Sequence, residues 1–195
     1  MLNPLPCATY AFVMSITPGP NNVMLTAAGA NFGLRRTVPH ILGVTAGFGV
    51  LVAAACGGLA VLFTRWPQVH IALKWVGAAY LLFLGWQILR ARGPAGGSAG
   101  KPVTFGEAAA FQFLNPKAWI IALTAATLFL PPQLGQVLAS GYVATIVTLV
   151  NLPCITVWAL FGSSLGLLLT RPAARRTFNW AMAVALAATG IMMVT

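Results

Sequence analysis

The sequence predicts an all-α integral membrane protein of six transmembrane helices, arranged as two inverted three-helix repeats. Three observations lead there. Of 195 residues, 59% are hydrophobic and 6% charged, against about 25% charged in soluble domains. The apolar residues fall into six long runs, roughly 5–28, 38–63, 69–89, 105–130, 137–168 and 177–194, and a helix needs roughly 20 such residues to cross hydrocarbon. The two halves of the chain also share spacings of proline, glycine and tryptophan.

The first run contains Thr17-Pro18-Gly19-Pro20-Asn21-Asn22 at its centre. Each proline removes a backbone donor and crowds the carbonyl four residues back, here Met14 and Ile16. Hydrocarbon offers those carbonyls no partner, so such a break belongs where it is buried in protein or lines a wet cavity. Helix 1 is therefore expected as two half-helices meeting near the midplane, with Thr17 as N-cap of the second and Pro18 at its first position. In the second run, Gly43, Gly47 and Gly49 with Thr45 form a small-residue face suited to close helix packing. In and near the third, Trp66, Trp75, Tyr80 and Trp86 read as an aromatic belt. The fourth run breaks at Phe113-Leu114-Asn115-Pro116-Lys117. There Asn115 suits an N-cap and Pro116 the first helical position. Lys117 falls at bilayer-centre depth, where a lysine costs at least about 2.5 kcal/mol. Asn151 and Pro153 interrupt the fifth run near its middle. Asn151 either contacts the ligand or satisfies a carbonyl freed by Pro153.

A glycine-rich stretch from Arg90 to Pro102, containing the linker 93–102, divides repeat one (1–92) from repeat two (103–195) within a single membrane domain. Pro18 and Gly43 stand 25 residues apart, as do Pro116 and Gly141; Trp75 and Gly85 stand ten apart, as do Trp180 and Gly190. An odd number of helices per repeat places the copies in opposite orientations, the plan of many secondary transporters. Alternate loops give one side eight basic residues (Arg35, Arg36, Arg90, Arg92, Lys101, Arg171, Arg175 and Arg176) and the other only Arg65 and Lys74. The positive-inside rule makes the first side cytoplasmic, with both termini outside.

The formal charge of +10 does not indicate nucleic acid, because the basic residues sit mostly between apolar runs. There is no Asp, and Glu107 is the single Glu. A divalent-cation exporter is the alternative transport class, but such sites need converging carboxylates, thiolates or imidazoles. Cys7, Cys56 and Cys154 are solitary small apolar residues without disulfide or zinc spacing. His40 and His70 read as singletons at loop edges. No hydrolase triad or phosphate loop can be assembled, so no enzyme and no cofactor is expected. A passive scaffold has little reason to keep Lys117 at the midplane.

The two second half-helices begin near the midplane from opposite sides, each with free N–H groups and a positive dipole end. Lys117 adds a full charge. Together they predict a site for an anionic group such as a carboxylate. Carbonyls at the ends of the first half-helices, near Ser15, Ile16, Phe113 and Leu114, suit an ammonium. A zwitterionic amino acid satisfies both. The candidate binding residues are Thr17, Pro18, Gly19, Pro20, Asn21, Asn22, Asn115, Pro116, Lys117 and Asn151. Glu107 and Lys117 are the candidates for proton coupling. With no Asp to pair a second cation, a substrate with a neutral side chain is expected.

TPGPNN in the first run, FLNPKAW in the fourth and KWVGAAYLLFLGWQILR in the third resemble the LysE/RhtB family of bacterial amino-acid exporters. The likeness covers the length, six-span layout and motif order. It implies efflux of an amino acid or derivative across the bacterial inner membrane, driven by the proton gradient, with lipid and protons as partners and a homodimer as a compatible assembly. It further implies that Pro18, Gly19, Pro20, Asn21, Asn115, Pro116 and Lys117 belong to the functional core. It leaves the substrate open among lysine, arginine, threonine, homoserine, leucine and cysteine.

Overall fold

The computed structural model describes residues 2–59, 65–91 and 101–194. These residues form helices and connections, with no strand among them. In order come α1 (Leu5–Ile16), α2 (Pro20–Phe32), α3 (Leu34–Ala54), α4 (Pro67–Arg90), α5 (Phe105–Phe111), α6 (Pro116–Leu128), α7 (Gln136–Leu168) and α8 (Pro172–Val194), and a π-helical turn at Ala55–Leu59 extends α3. By length and composition, four helical stretches among the described residues can cross a membrane: Leu34–Leu59, Ile71–Arg90, Gln136–Leu168 and Pro172–Val194. The apolar helices Leu5–Ile16 and Pro116–Leu128 are shorter. The first and fourth apolar runs are thus each divided between two helices, α1 with α2 and α5 with α6. Most of the linker 93–102, together with Arg92, lies outside the described residues.

Several boundaries differ from the sequence expectation, and those at basic residues share one cause. Charge marks where an apolar span ends, not where its helix ends. Between α2 and α3 a single residue, Gly33 (φ 78°), is non-helical, so Arg35 and Arg36 sit in the first turn of α3 and not in a loop. Arg175 and Arg176 likewise lie inside α8. The expected interruption at Asn151 and Pro153 does not occur: α7 is continuous over 33 residues with Pro153 inside it. His40 is not at a loop edge. It is fully buried within α3, and neither ring nitrogen has a hydrogen-bond partner.

Three buried clusters hold the helices together. One joins Ala11, Phe48, Ala122 and Val143 across α1, α3, α6 and α7. A second joins Met24, Leu81, Phe111 and Leu186 across α2, α4, α5 and α8. The third joins Leu25, Val44, Ala108 and Ile155 across α2, α3, α5 and α7. Trp66, Trp75 and Trp86 are exposed, as a belt requires. Tyr80 departs from that expectation: it packs in the second cluster, its ring centroid 5.3 Å from that of Phe111.

Small residues set the closest approaches, because without a Cβ two backbones can touch. On α7, a Cβ at Gly162 would run into the Thr26 carbonyl oxygen, and one at Gly166 would stand 2.6 Å from that of Ala30. On α3, Gly43 and Gly47 lie against the carbonyls of Phe105 and Ala109. So the second part of run one packs on run five, and the first part of run four packs on run two. Between α4 and α8 the contact is reciprocal: a Cβ at Gly85 would lie 3.4 Å from Ala183 O, and one at Gly190 3.3 Å from Ala78 O. Ala78 is three residues after Trp75, as Ala183 is after Trp180. Gly141, paired with Gly43 by spacing, faces open space instead. The two glycines share a position in sequence but not a packing role.

Gly162→Ala is expected to lower stability by about 1–3 kcal/mol, the usual cost of overpacking, and Gly141→Ala to leave it unchanged or slightly raised. Thermal unfolding of the purified protein in detergent compares the two.

Candidate functional site

The first break is built by the pre-proline restriction. A residue before proline is pushed out of the α region, and here two such residues alternate with two prolines. Thr17, before Pro18, is extended at ψ 146°; Gly19, before Pro20, is extended at φ −173°, ψ 176°. Helix α1 therefore ends with Thr17 as its C-cap, and α2 cannot begin before Pro20, with Gly19 as N-cap. The expectation that Thr17 caps and Pro18 opens the second half-helix was two residues early, because Pro20 excludes Gly19 from the helix.

Each carbonyl released at this break finds a donor. Met14 O accepts from Thr17 Oγ1 at 3.0 Å. Ser15 O accepts from Asn22 Nδ2 at 3.0 Å, and Ile16 O from Trp158 Nε1 at 3.1 Å. Thr17 O accepts from Asn22 Nδ2 at 2.7 Å and from Lys117 Nζ at 2.6 Å. Lys117 Nζ also donates to Thr17 Oγ1 at 2.9 Å and to Pro18 O at 3.1 Å. These contacts place the ammonium at the C-terminal, negative end of α1, where a cation is favoured. Glycine at position 19 makes this possible: a Cβ there would stand 2.7 Å from Lys117 Cδ and 3.2 Å from its Nζ.

The second break is gentler. After α5 the backbone continues through i to i−3 bonds at Gln112, Phe113, Leu114 and Asn115. Asn115, before Pro116, is extended at ψ 111° and caps α6, its Oδ1 accepting from Lys117 N at 3.1 Å. Trp119 Nε1 donates to Phe113 O at 2.8 Å. The carbonyls of Ser15, Ile16 and Phe113, expected to be open to an ammonium, are thus engaged by Asn22, Trp158 and Trp119.

The two breaks meet at one cavity. Gly19, Pro20, Asn21, Asn22, Asn115, Lys117 and Asn151 all line it. Helix α2 opens without a side-chain cap, so the N–H groups of Asn21 and Asn22 lack helical partners. Thr17 and Pro18 join the site through Lys117. Pro116 fixes the start of α6 and is not part of the wall. The remaining space is about 30 Å³, room for water and far below the roughly 300–1,000 Å³ of ligand pockets.

Polar residues that the sequence reading passed over support this site. Gln112, fully buried, pairs its amide with that of Asn21 in both directions, at 2.8 and 3.2 Å. Ser15 Oγ accepts from Asn151 Nδ2 at 3.0 Å, while Asn151 Oδ1, buried, has no partner. Asn151 therefore serves neither a carbonyl freed by Pro153 nor a break directly; it anchors Ser15. Two signals were present in the sequence. Gln112 is an amide inside an apolar run, three residues before Asn115. Trp158 lies seven residues after Asn151, on the same face of a helix. Glu107 stands apart. It closes a capping box with Thr104, its Oε2 accepting from Thr104 N at 2.8 Å and from Thr104 Oγ1 at 2.9 Å. It lines a separate depression with Arg90 and Lys101. Among the described residues, no three His, Cys, Asp or Glu side chains come together.

Comparison with known proteins follows the same lines. Residues 12–195 match the family model described as LysE type translocator. The chain is 35% identical over 126 residues to the cysteine/O-acetylserine efflux protein of Salmonella typhimurium, covering 64% of each chain. It is 32% identical over 159 residues to the protein of that name from Klebsiella pneumoniae, and 30% identical over 155 residues to that from Escherichia coli K12, covering 79% of each chain in both cases. The match thus spans a little under two thirds of the Salmonella relative. No solved structure matches significantly. With the family model covering nearly the whole chain, and the breaks that carry TPGPNN and FLNPKAW meeting at one cavity, the protein belongs to the LysE type translocator family.

Proposed function

We propose that the protein is a secondary active exporter of an amino acid with a neutral side chain, working across the bacterial inner membrane and driven by the proton gradient. One observation carries the reading. The N-termini of α2 and α6, the side chain of Lys117 and the carbonyl end of α1 converge on one cavity. Free N–H groups at a helix start suit a carboxylate, and carbonyls at a helix end suit an ammonium. An α-amino acid carries both charges on one α-carbon. The unpartnered Oδ1 of Asn151 is a further acceptor on the wall. The relatives' names specify cysteine and O-acetylserine, both without a charged side chain, which agrees with a site that holds no carboxylate.

The reading includes a two-fold design: residues 1–92 and 103–195 as inverted repeats of three spans, each with a break near the midplane. The reciprocal Gly85–Ala183 and Gly190–Ala78 contacts support it, as does the exchange by which α2 packs on α7 while α5 packs on α3. The reading places both termini outside and the linker in the cytoplasm, on the basic asymmetry of the loops. For proton coupling, Lys117 is favoured over Glu107, because Lys117 lines the cavity and Glu107 is held in a capping box.

Cells preloaded with labelled amino acids test the function. Expression of the chain is expected to speed export of cysteine, O-acetylserine or another neutral amino acid, and Lys117→Met to return export to background at undiminished membrane abundance. Faster export of lysine or arginine contradicts the neutral side chain. For orientation, Ser98→Cys in a background without the native cysteines is expected to resist an impermeant thiol reagent in intact cells and to react in inverted vesicles.

A further inference from the structure

The three oxygens around Lys117 Nζ make a site in their own right. Thr17 O, Thr17 Oγ1 and Pro18 O lie at 2.6, 2.9 and 3.1 Å from it. All three act as acceptors. The hydroxyl of Thr17 has spent its proton on Met14 O, so toward the ammonium it presents a lone pair. Three acceptors and no donor match the three N–H groups of a primary ammonium. No carboxylate contributes, since the chain has no Asp and its one Glu is engaged elsewhere. Thr17 and Pro18 are exposed, so the oxygens can be reached once the lysine moves.

Building on the exporter reading, we propose that this cradle is the α-ammonium subsite of the transported molecule, and that Lys117 fills it when no substrate is bound. The lysine side chain acts as a tethered copy of the substrate's own ammonium. Occupancy is exclusive, because three short bonds cannot be shared between two cations. A substrate must then displace Nζ from Thr17 and Pro18, and the freed Nζ becomes available to the incoming carboxylate. Helix α6 begins one residue before Lys117, so this exchange links the start of α6 to the end of α1. The proposal also sets the substrate class: an unmodified primary ammonium is required. Acylation on oxygen or sulfur is compatible with the cradle, whereas N-acylation or full N-methylation is not.

Amine titration of the purified full-length protein tests the cradle without transport. Ethylammonium chloride has the charge and the donors; tetramethylammonium chloride has the charge alone. Melting temperature is followed in detergent at matched ionic strength, since a ligand that binds the native state stabilises it by an amount that grows with the logarithm of one plus its concentration over Kd. Wild type is expected to respond to neither salt, its cradle being filled. Lys117→Met is expected to show a rise with ethylammonium that grows with concentration and is at least about twice that with tetramethylammonium. Lys117→Gln covers the case in which Lys117→Met fails to fold: its neutral amide keeps a donor near the break but leaves the three oxygens without a cation, and a rise with ethylammonium above that with tetramethylammonium is again expected. Equal response of variants and wild type, or equal response to the two salts, overturns the proposal. A failed titration with normal amino-acid export removes the cradle and leaves the exporter; a successful titration without export does the reverse.

Discussion

A backbone that stops being helical inside an apolar helix bundle exposes carbonyls that hydrocarbon cannot satisfy, and the fold is arranged to satisfy them. Two prolines in alternation release the carbonyls of five consecutive residues, Met14 to Pro18. Their donors come from Thr17 itself, from Asn22 on α2, from Trp158 on α7 and from Lys117 on α6. One short break thus ties four helices together. Lys117 reaches it from a hundred residues away in sequence. Its charge lacks a nearby carboxylate and rests on backbone dipoles, which is how a lysine with so high an insertion cost can be kept.

The same arrangement leaves the start of α2 open to the cavity, while that of α6 is capped by Asn115. Where carbonyls are covered, the N–H groups of Asn21 and Asn22 are not. The Asn21–Gln112 pair fixes the start of α2 relative to the turn after α5, so the two breaks keep register with each other. Around them, glycines on α3 and α7 bring backbones into contact. The breaks therefore sit between closely packed helices, around a cavity with room for water.

Much of this was legible from residue types. The TPGPNN and NPK stretches marked where α1 gives way to α2 and α5 to α6, and Lys117 lines the cavity at which the two meet. What could not be read was position to within a turn. Two prolines each suit a helix start, and the residue between them settles which one opens α2. The interruption expected at Asn151 and Pro153 does not form: α7 is continuous over 33 residues with Pro153 inside it, whereas the single Pro116 opens a new helix after Asn115, so a lone proline does not by itself decide between the two outcomes. Basic residues misled at helix ends because arginine is a good helix former and extends a helix beyond its apolar span. The roles of Gln112, Ser15 and Trp158 are tertiary, set by partners between about 90 and 140 residues away, and no local pattern encodes such distances.

An experimental structure of the protein with an exported amino acid bound tests the account most directly. The account predicts the ligand carboxylate on the N–H groups of Asn21 and Asn22, its ammonium on Thr17 O, Thr17 Oγ1 and Pro18 O, and Lys117 Nζ withdrawn from those oxygens. A bound amino acid lying elsewhere, with Nζ still on Thr17 and Pro18, contradicts it.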